Sequence, residues 1–167
     1  MSKEAVADEV QDLDVKRDIR LALFEAAIDR LLRDRANRDF VIFELRGSPG
    51  SYVQLTIHDG AVLGEVATGK LAPDQERVRA LGCLGFEGGP QRAHFSRDHL
   101  PQSSRRLACL TELLLGAAYR PPPDFDATVV TRAMVEEQAA HLSLNRVRPR
   151  ADVRSRKTKD SKAGVDQ

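Results

Sequence analysis

The residues best suited to chemistry lie in one short run, residues 94–99, which reads His-Phe-Ser-Arg-Asp-His. Serine, histidine and aspartate are the side chains of a nucleophilic triad, and two histidines with a carboxylate can also bind a metal ion. A triad needs a particular three-dimensional arrangement, however, and no Gly-x-Ser-x-Gly turn presents a serine nucleophile in this chain. The histidine spacing matches no common metal-binding motif either. We therefore favour a structural role, in which Phe95 enters the core while Arg97 and Asp98 hold a loop through ion pairs and backbone hydrogen bonds.

The other candidate residues give no stronger indication of catalysis. The glycine-rich residues 82–89 contain neither the Gly-x-Gly-x-x-Gly motif nor the phosphate-binding loop of nucleotide-binding proteins. His58 adjoins an Asp-Gly turn, where a solvated histidine is the common case, and no pair of carboxylates has a setting that would shift its pKa. Cys83 and Cys109 form no metal-type cluster, and two free thiols are favoured over a single disulfide. We expect a protein with no enzymatic activity, no cofactor and no metal.

Charge is distributed unevenly along the 167 residues, although the formal net charge is only +1. Residues 146–167 hold eight lysine or arginine residues against three aspartates, a local charge of +5, so the remainder carries 1 − 5 = −4. The basic residues are Arg146, Arg148, Arg150, Arg154, Arg156, Lys157, Lys159 and Lys162. We expect a flexible N-terminus over residues 1–12, one domain over 13–144 and a disordered basic tail over 145–167. The tail could contact nucleic-acid phosphates, an anionic membrane or an acidic protein, or it could simply be solvated.

The hydrophobic content of 41% is ordinary, and the chain is long enough to bury a core. No run of apolar residues approaches the length of a transmembrane helix, and the acidic first residues do not resemble a signal peptide. These features predict a cytoplasmic protein with no membrane span.

Residues 40–69 are predicted to form the centre of the fold, as three short antiparallel strands separated by turns at 47–50 and at Asp59-Gly60. Strand side chains alternate between two faces. One face is almost wholly apolar, with Val41, Phe43, Leu45, Val53, Leu55, Ile57, Val62, Gly64 and Val66. The opposite face, here called the mixed face, carries Phe40, Ile42, Glu44, Tyr52, Gln54, Thr56, Leu63 and Glu65. The mixed face is either an ordinary sheet surface with a few exposed apolar groups or a surface that receives a partner segment.

Helical patterns surround these strands. Apolar residues at spacings of three and four predict a helix over residues 14–36, with Leu23 widening its core stripe and Arg20 on the solvent side. The core stripe of this helix is predicted to hold Leu21, Phe24, Ile28 and Leu31. Similar spacing predicts another helix that follows a cap at Ser103 or Ser104 and ends near residue 119. A short helix over 73–81, a fourth strand over 93–95 and a last helix over 126–144 are also predicted. The resulting fold class is α+β, an antiparallel sheet with helices packed on one face.

Residues 39–125 resemble a family of small actinobacterial domains that are related to type III secretion chaperones and to YbjN-like proteins. These domains are described as peptide-binding and chaperone-like. The resemblance rests on the runs DFVIFEL, YVQLTIHDGAVLGEVATG, LGF and HFSRD, and on a leucine-rich helix leading into YRPPPDF. It implies a secretion-chaperone-like fold without a cofactor, which pairs into homodimers and holds extended segments of client proteins.

The resemblance also suggests where a client would bind. A client peptide would lie on the mixed face, and backbone pairing along a free strand edge would add affinity. The candidate peptide-binding residues are Ile42, Tyr52, Gln54, Thr56, Leu63 and Glu65. Because the basic tail departs from the acidic character of secretion chaperones, the alternative hypothesis is a nucleic-acid- or ribosome-associated adaptor attached through that tail.

Overall fold

The computed structural model describes residues 3–67, 74–88 and 94–147, with side chains for residues 11–67, 74–88 and 94–140. Within these ranges the chain forms four helices and five strands. In order they are α1 (Lys3–Asp34), β1 (Phe40–Leu45), β2 (Tyr52–His58), β3 (Ala61–Ala67), α2 (Gln75–Cys83), β4 (His94–Arg97), α3 (Ser104–Tyr119), β5 (Ala127–Thr131) and α4 (Arg132–Val147).

The strands form one antiparallel sheet in the order β4-β3-β2-β1-β5. The predicted meander of β1, β2 and β3 is confirmed. At the β2–β3 turn, φ is +49° at Asp59 and +79° at Gly60, the two positive angles that a tight hairpin turn requires. This turn fixes the register in which His58 pairs with Ala61.

One face of the sheet is sealed, as the alternation predicts. Val41, Phe43, Val53, Leu55 and Val66 have no exposed surface. They belong to one core with the buried residues of α1, α2 and α3, and so the α+β class with helices on one face is confirmed.

Gly64 shows how closely the core residues approach the sheet. A Cβ atom at this position would lie only 2.7 Å from Leu100 Cδ1 and 3.1 Å from Phe86 Cζ. The missing side chain therefore makes room on β3 for two core residues that come from the segments following β3.

α1 differs from its prediction in two respects. It begins at Lys3 rather than near residue 14, although Leu21, Phe24, Ile28 and Leu31 face the core as expected. The expectation that Leu23 widens the core stripe is wrong, because its side chain is 57% exposed. Arg20, which we expected on the solvent side, is buried.

Arg20 is buried because it binds groups from two other parts of the chain. Its guanidinium donates to Glu112 Oε1 of α3 and to the Phe125 carbonyl oxygen, each at 2.8 Å. It also lies 3.8 Å from the centroid of the Phe125 ring. Arg17 donates to the other oxygen of Glu112 at 3.1 Å. This cluster fixes the segment before β5 against α1 and α3.

The elements between β3 and α3 lie close to their predicted positions. α2 begins at Gln75, where Asp74 caps the helix by accepting from the Glu76 N–H at 2.7 Å. β4 runs from His94 to Arg97, and Ser103 caps α3 by accepting from the Arg106 N–H. Pro73, the predicted start of α2, lies outside the described residues.

The prediction of one helix from Asp126 to residue 144 is wrong in its first part. Residues 127–131 form β5, which pairs along β1 from Leu45–Ala127 to Val41–Thr131. The sequence Ala-Thr-Val-Val-Thr is rich in β-branched residues, which favour a pleated surface over a helix. The helix α4 follows at once, and the Thr131 hydroxyl accepts from the Met134 N–H at its start.

The chain divides into two compact units, Met1–Val135 and Glu136–Gln167. The first contains the sheet with α1, α2 and α3, and the second contains the greater part of α4. The basic residues from Arg148 onward, like the side chain of Arg146, lie outside the described residues. Disorder of the tail and flexibility of residues 1–12 therefore stay predictions.

Candidate peptide-binding surface

The six residues predicted to bind a peptide lie on one face of the sheet. Ile42, Tyr52, Gln54, Thr56, Leu63 and Glu65 are all partly exposed, whereas their neighbours along each strand are buried. The register places Gln54 between Ile42 on β1 and Glu65 on β3, and it places Leu63 beside Thr56. The structure thus brings the six residues together on the mixed face.

The mixed face combines apolar patches with polar groups. Gln54 Nε2 donates to Thr56 Oγ1 at 2.9 Å, which orders two neighbouring side chains of β2. Glu44 is occupied by the turn that follows β1, since Glu44 Oε1 accepts from the Gly50 N–H at 2.7 Å. Among the described residues the Glu65 carboxylate has no hydrogen-bond or ion-pair partner. Such a face can supply apolar contact area together with a few polar groups that fix orientation.

β5 extends the mixed face by one strand that the sequence analysis did not predict. Val130 pairs with Ile42, and Thr128 pairs with Glu44. One row across the sheet therefore runs Ser96, Glu65, Gln54, Ile42, Val130. The β-branched run at residues 128–131 was the signal that could have revealed this strand.

Tyr119, at the C-terminal end of α3, closes one end of the sheet. Its hydroxyl accepts from the Tyr52 N–H at 3.0 Å and lies within hydrogen-bond reach of the Tyr52 and Ala67 carbonyl oxygens. A phenol has one proton, so it donates to one of these carbonyls at a time. Burial raises the pKa of the Tyr119 phenol above its ordinary value, and the hydroxyl stays protonated. Sequence reasoning missed this residue because its partners are distant along the chain.

The two edges of the sheet differ. At the β4 edge, Ser96 and Glu87 exchange two backbone hydrogen bonds of 2.9 Å each. Among the described residues, this bridge covers the middle of β4. A short covered edge of this kind is a common protection against pairing with another chain.

The β5 edge has no such cover among the described residues. The Arg46 N–H donates to the Asp126 carbonyl at 3.0 Å, so Arg46 and Asp126 are a hydrogen-bonded pair of the two antiparallel strands. Hydrogen-bonded and non-hydrogen-bonded pairs alternate from there along β1 and β5. Thr128 and Val130 therefore direct their backbone groups toward β1, whereas Ala127, Val129 and Thr131 direct theirs away from the sheet. Ala127 and Val129, each with an outward N–H and an outward carbonyl, can accept a further strand beside the mixed face.

The run at 94–99 takes the structural role that we expected for Phe95 and Arg97. Phe95 is buried, and Arg97 Nη1 donates to the Leu84 carbonyl oxygen at 2.8 Å. Asp98 is exposed, and it forms no ion pair within the described part of the chain, so its predicted role in holding the loop stays a prediction.

Asp98 and His99 instead line a shallow recess of about 360 Å³ with His58, Asp59 and Leu63. The His58 and Asp59 side chains lie 3.5 Å apart and are both largely exposed, a pairing that contributes little free energy. In the described residues no group of three or more His, Cys, Asp or Glu side chains is placed to hold a metal ion. Cys83 and Cys109 are free thiols. None of the helices within the described ranges has the length and apolar character needed to cross a bilayer.

Comparison with known proteins identifies no relative of this chain. No model of a known protein family matches it, and comparisons with curated proteins and with solved structures give no significant match.

Proposed function

We propose that this protein is a non-enzymatic, cytosolic peptide- or protein-binding module of the secretion-chaperone type. It holds an extended client segment on the mixed face, at Ile42, Tyr52, Gln54, Thr56, Leu63 and Glu65. The observation that carries the proposal is the position of this half-exposed face beside a strand edge that is unpaired among the described residues.

The chemistry of the face supports a peptide rather than a small molecule. Ile42, Leu63 and Val130 offer apolar area, while Gln54 and Glu65 offer groups that bind amides and cations. Two recesses that border the sheet, near Arg46 and near His58, are shallow, whereas sites for small molecules usually enclose most of the ligand.

The β5 edge adds a requirement on the client. A strand that pairs with Ala127, Val129 and Thr131 would direct alternate side chains toward the two faces of the sheet. The client segment is therefore expected to be extended, about five residues long to match β5, and free of proline at the positions that donate to the edge.

The mixed face is tested by site-specific photocrosslinking in the native host. A photoreactive residue at Gln54 should capture a client, and Tyr52→Arg should abolish that capture. Leu113→Arg is the matched control, because Leu113 is an exposed apolar residue of α3 far from the mixed face in sequence and on a different element. Equal capture by the Tyr52→Arg protein and the parent would contradict the proposal.

The β5 edge is tested by the pair Val129→Pro and Val129→Ala. Both variants lose the contacts of the valine side chain. Only proline also removes the backbone N–H of residue 129, which points away from β1. Client affinity should fall about tenfold or more in Val129→Pro relative to Val129→Ala. The proline variant loses one hydrogen bond between neutral backbone groups, and its ring clashes with the added strand. Equal affinities would exclude strand addition at this edge and leave binding on the face itself.

A second candidate function rests on the basic residues 146–167, which carry eight lysine or arginine residues against three aspartates. A nucleic-acid- or ribosome-associated adaptor would bind phosphates through this tail, with an affinity that falls steeply as salt rises. Removal of residues 146–167 should then abolish binding to RNA or ribosomes at low ionic strength. If the intact protein binds neither at low ionic strength, the adaptor hypothesis is excluded.

A further inference from the structure

A recess lies beside the β5 edge on the side of the sheet that the helices cover. It has a volume of about 250 Å³ and is bounded by α1 and by the residues that lead into β5. Its apolar walls come from Ile19, Leu23, Phe24, Phe125 and Ala127. Ile19 and Leu23 are each more than half exposed, and neighbouring exposed apolar side chains mark interaction sites. This helix-side recess is therefore a candidate site for an apolar group of another molecule.

The register of β5 determines which residue of an added strand would reach the helix-side recess. Ala127 and Val129 pair with the buried residues Leu45 and Phe43, so their side chains lie on the helix side of the sheet. The same two residues carry the outward backbone groups of the edge. Residues directly opposite each other on neighbouring strands share a face. A client residue that pairs with Ala127 would therefore direct its side chain to the helix side, where the recess lies.

The size of the helix-side recess indicates what it accepts. Ala127 has the smallest of the side chains that β5 directs to the helix side, which leaves space next to Leu23 of α1. The volume of about 250 Å³ is below the roughly 300–1,000 Å³ of typical small-molecule sites. The recess therefore fits one large apolar side chain, such as that of leucine or phenylalanine.

The two basic residues at the helix-side recess already have carboxylate partners. Lys16 Nζ lies 2.8 Å from Asp12 Oδ2. Arg20 Nη2 lies 2.8 Å from Glu112 Oε1, and Arg20 Nη1 donates to the Phe125 carbonyl oxygen. An anionic group of a client would therefore have to displace an existing partner from either cation.

The two acidic residues at the helix-side recess are more available. Asp124 is exposed, and it has no hydrogen-bond or ion-pair partner in the described part of the chain. Asp126 Oδ2 lies 3.4 Å from Arg46 Nη1, but both side chains are 70% exposed, and such pairs contribute little free energy. Charge complementarity therefore favours a client with a basic residue near the apolar one.

We propose that the helix-side recess is a specificity pocket for the client. It takes one large apolar side chain from an extended segment that pairs with β5, and Asp124 binds a lysine or arginine of the same segment. The inference rests on the proposed function and names the chemistry of its client. The client residue opposite Ala127 would lie on the helix side, and the one opposite Thr128 on the side of the mixed face.

Selection of displayed random peptides on the full chain tests the sequence requirement. The peptides have about ten residues, twice the length of β5. Selected peptides should share one large apolar residue, with a lysine or arginine within about three residues of it, the separation of Asp124 from Ala127 in the sequence. Recovery of no binding peptide, or of peptides without the apolar residue, would overturn the proposal.

Fluorescence anisotropy with one selected peptide tests the recess itself. Ala127→Phe should fill the recess and raise the Kd roughly 10- to 100-fold, because the apolar side chain of the peptide is excluded. Leu23→Ser should raise the Kd about tenfold, and this variant is expected to fold because Leu23 is 57% exposed. Ala22→Phe and Leu113→Ser are the matched controls, since both residues are exposed and neither lines the recess. Equal affinities of Leu23→Ser and Leu113→Ser would overturn the proposal.

A charge exchange tests the role of Asp124. Asp124→Lys should weaken binding of the selected peptide about threefold to fivefold, a modest effect because Asp124 is exposed. A peptide in which the basic residue is replaced by glutamate should bind better to Asp124→Lys than to the parent. Failure of this exchange would overturn the assignment of Asp124.

Photocrosslinking at Gln54 separates this inference from the proposed function. Equal capture of a client by the parent, by Ala127→Phe and by Leu23→Ser would overturn the specificity pocket and leave binding on the mixed face intact. If Gln54 captures no client while the selected peptide still binds in a manner sensitive to Leu23→Ser, the mixed-face proposal fails and the recess remains a peptide-binding site.

Discussion

The two faces of the sheet are built from the same strands and yet have opposite characters. Val41, Phe43, Val53 and Leu55 are sealed against the helices, while Ile42, Gln54 and their row remain partly exposed one residue away. The sealed face is uniformly apolar, whereas the mixed face alternates apolar and polar groups across neighbouring strands. The comparison teaches that one run of residues encodes both the core and an available surface, separated only by the period of the strand.

The largest expected effect comes from truncating the sealed face. Phe43→Ala should lower the free energy of unfolding by about 3–5 kcal/mol, because Phe43 is fully buried and its ring packs 4.6 Å from that of Phe24. Ile42→Ala, the adjacent residue on the mixed face, should cost only about 1 kcal/mol. Urea denaturation of both variants measures the two free energies of unfolding. Equal losses of free energy in Phe43→Ala and Ile42→Ala would contradict the distinction between a buried face and an available one.

Filling the space at Gly64 should have the next largest effect. Gly64→Ala should destabilise by about 1–3 kcal/mol, since its Cβ would lie 2.7 Å from Leu100 Cδ1 in a packed core. Gly82→Ala is the matched control, because a Cβ on this α2 residue meets nothing within 4 Å. That variant should gain about 0.5–1 kcal/mol from helix propensity. Thermal unfolding with opposite shifts in Tm would confirm the contrast.

Tyr119→Phe should cost about 1–3 kcal/mol, because the Tyr52 and Ala67 backbone groups lose their shared partner at the end of the sheet. The pKa of the folded phenol is raised above its unfolded value, so its contribution is complete below about pH 10 and is lost as the pH rises further. Stability measured from neutral to alkaline pH should therefore fall more steeply in the parent than in Tyr119→Phe. Parallel curves would contradict a buried, protonated Tyr119.

The smallest expected change in stability is on the mixed face itself. Gln54→Ala should alter the free energy of unfolding by no more than about 0.5 kcal/mol, since the Gln54 side chain donates to Thr56 on the same strand and does not join separate elements through that bond. A loss as large as that of Phe43→Ala would mean that the mixed face is structural. Urea denaturation provides this measurement alongside client capture.

Local patterns predicted the centre of the fold well. Alternation separates the faces of β1, β2 and β3, and the Asp59-Gly60 turn fixes the register between β2 and β3. Both patterns depend on residues that are close in sequence, which is why the amino-acid sequence alone reveals them. The capping serine of α3 was predicted for the same reason.

The errors arose where distant contacts decide the outcome. Arg20 has the spacing of a solvent-facing residue, but Glu112 and Phe125 pair with it across more than ninety residues of sequence. The local pattern predicts a helix at β5 because the strand that pairs with β5, β1, lies far earlier in the sequence. Leu23 could not be distinguished from core leucines by hydrophobicity, because only tertiary packing assigns a helix face to the interior.

The contacts of Tyr119 also bear on the order in which the protein folds. They join residues separated by 52 and 67 positions, so they can form only after the meander and α3 have met. A contact of such long range contributes little to an early transition state, and its loss should accelerate unfolding while leaving the refolding rate almost unchanged. The hydroxyl of Tyr119 would then act chiefly by slowing unfolding, and so it would lengthen the lifetime of the native state.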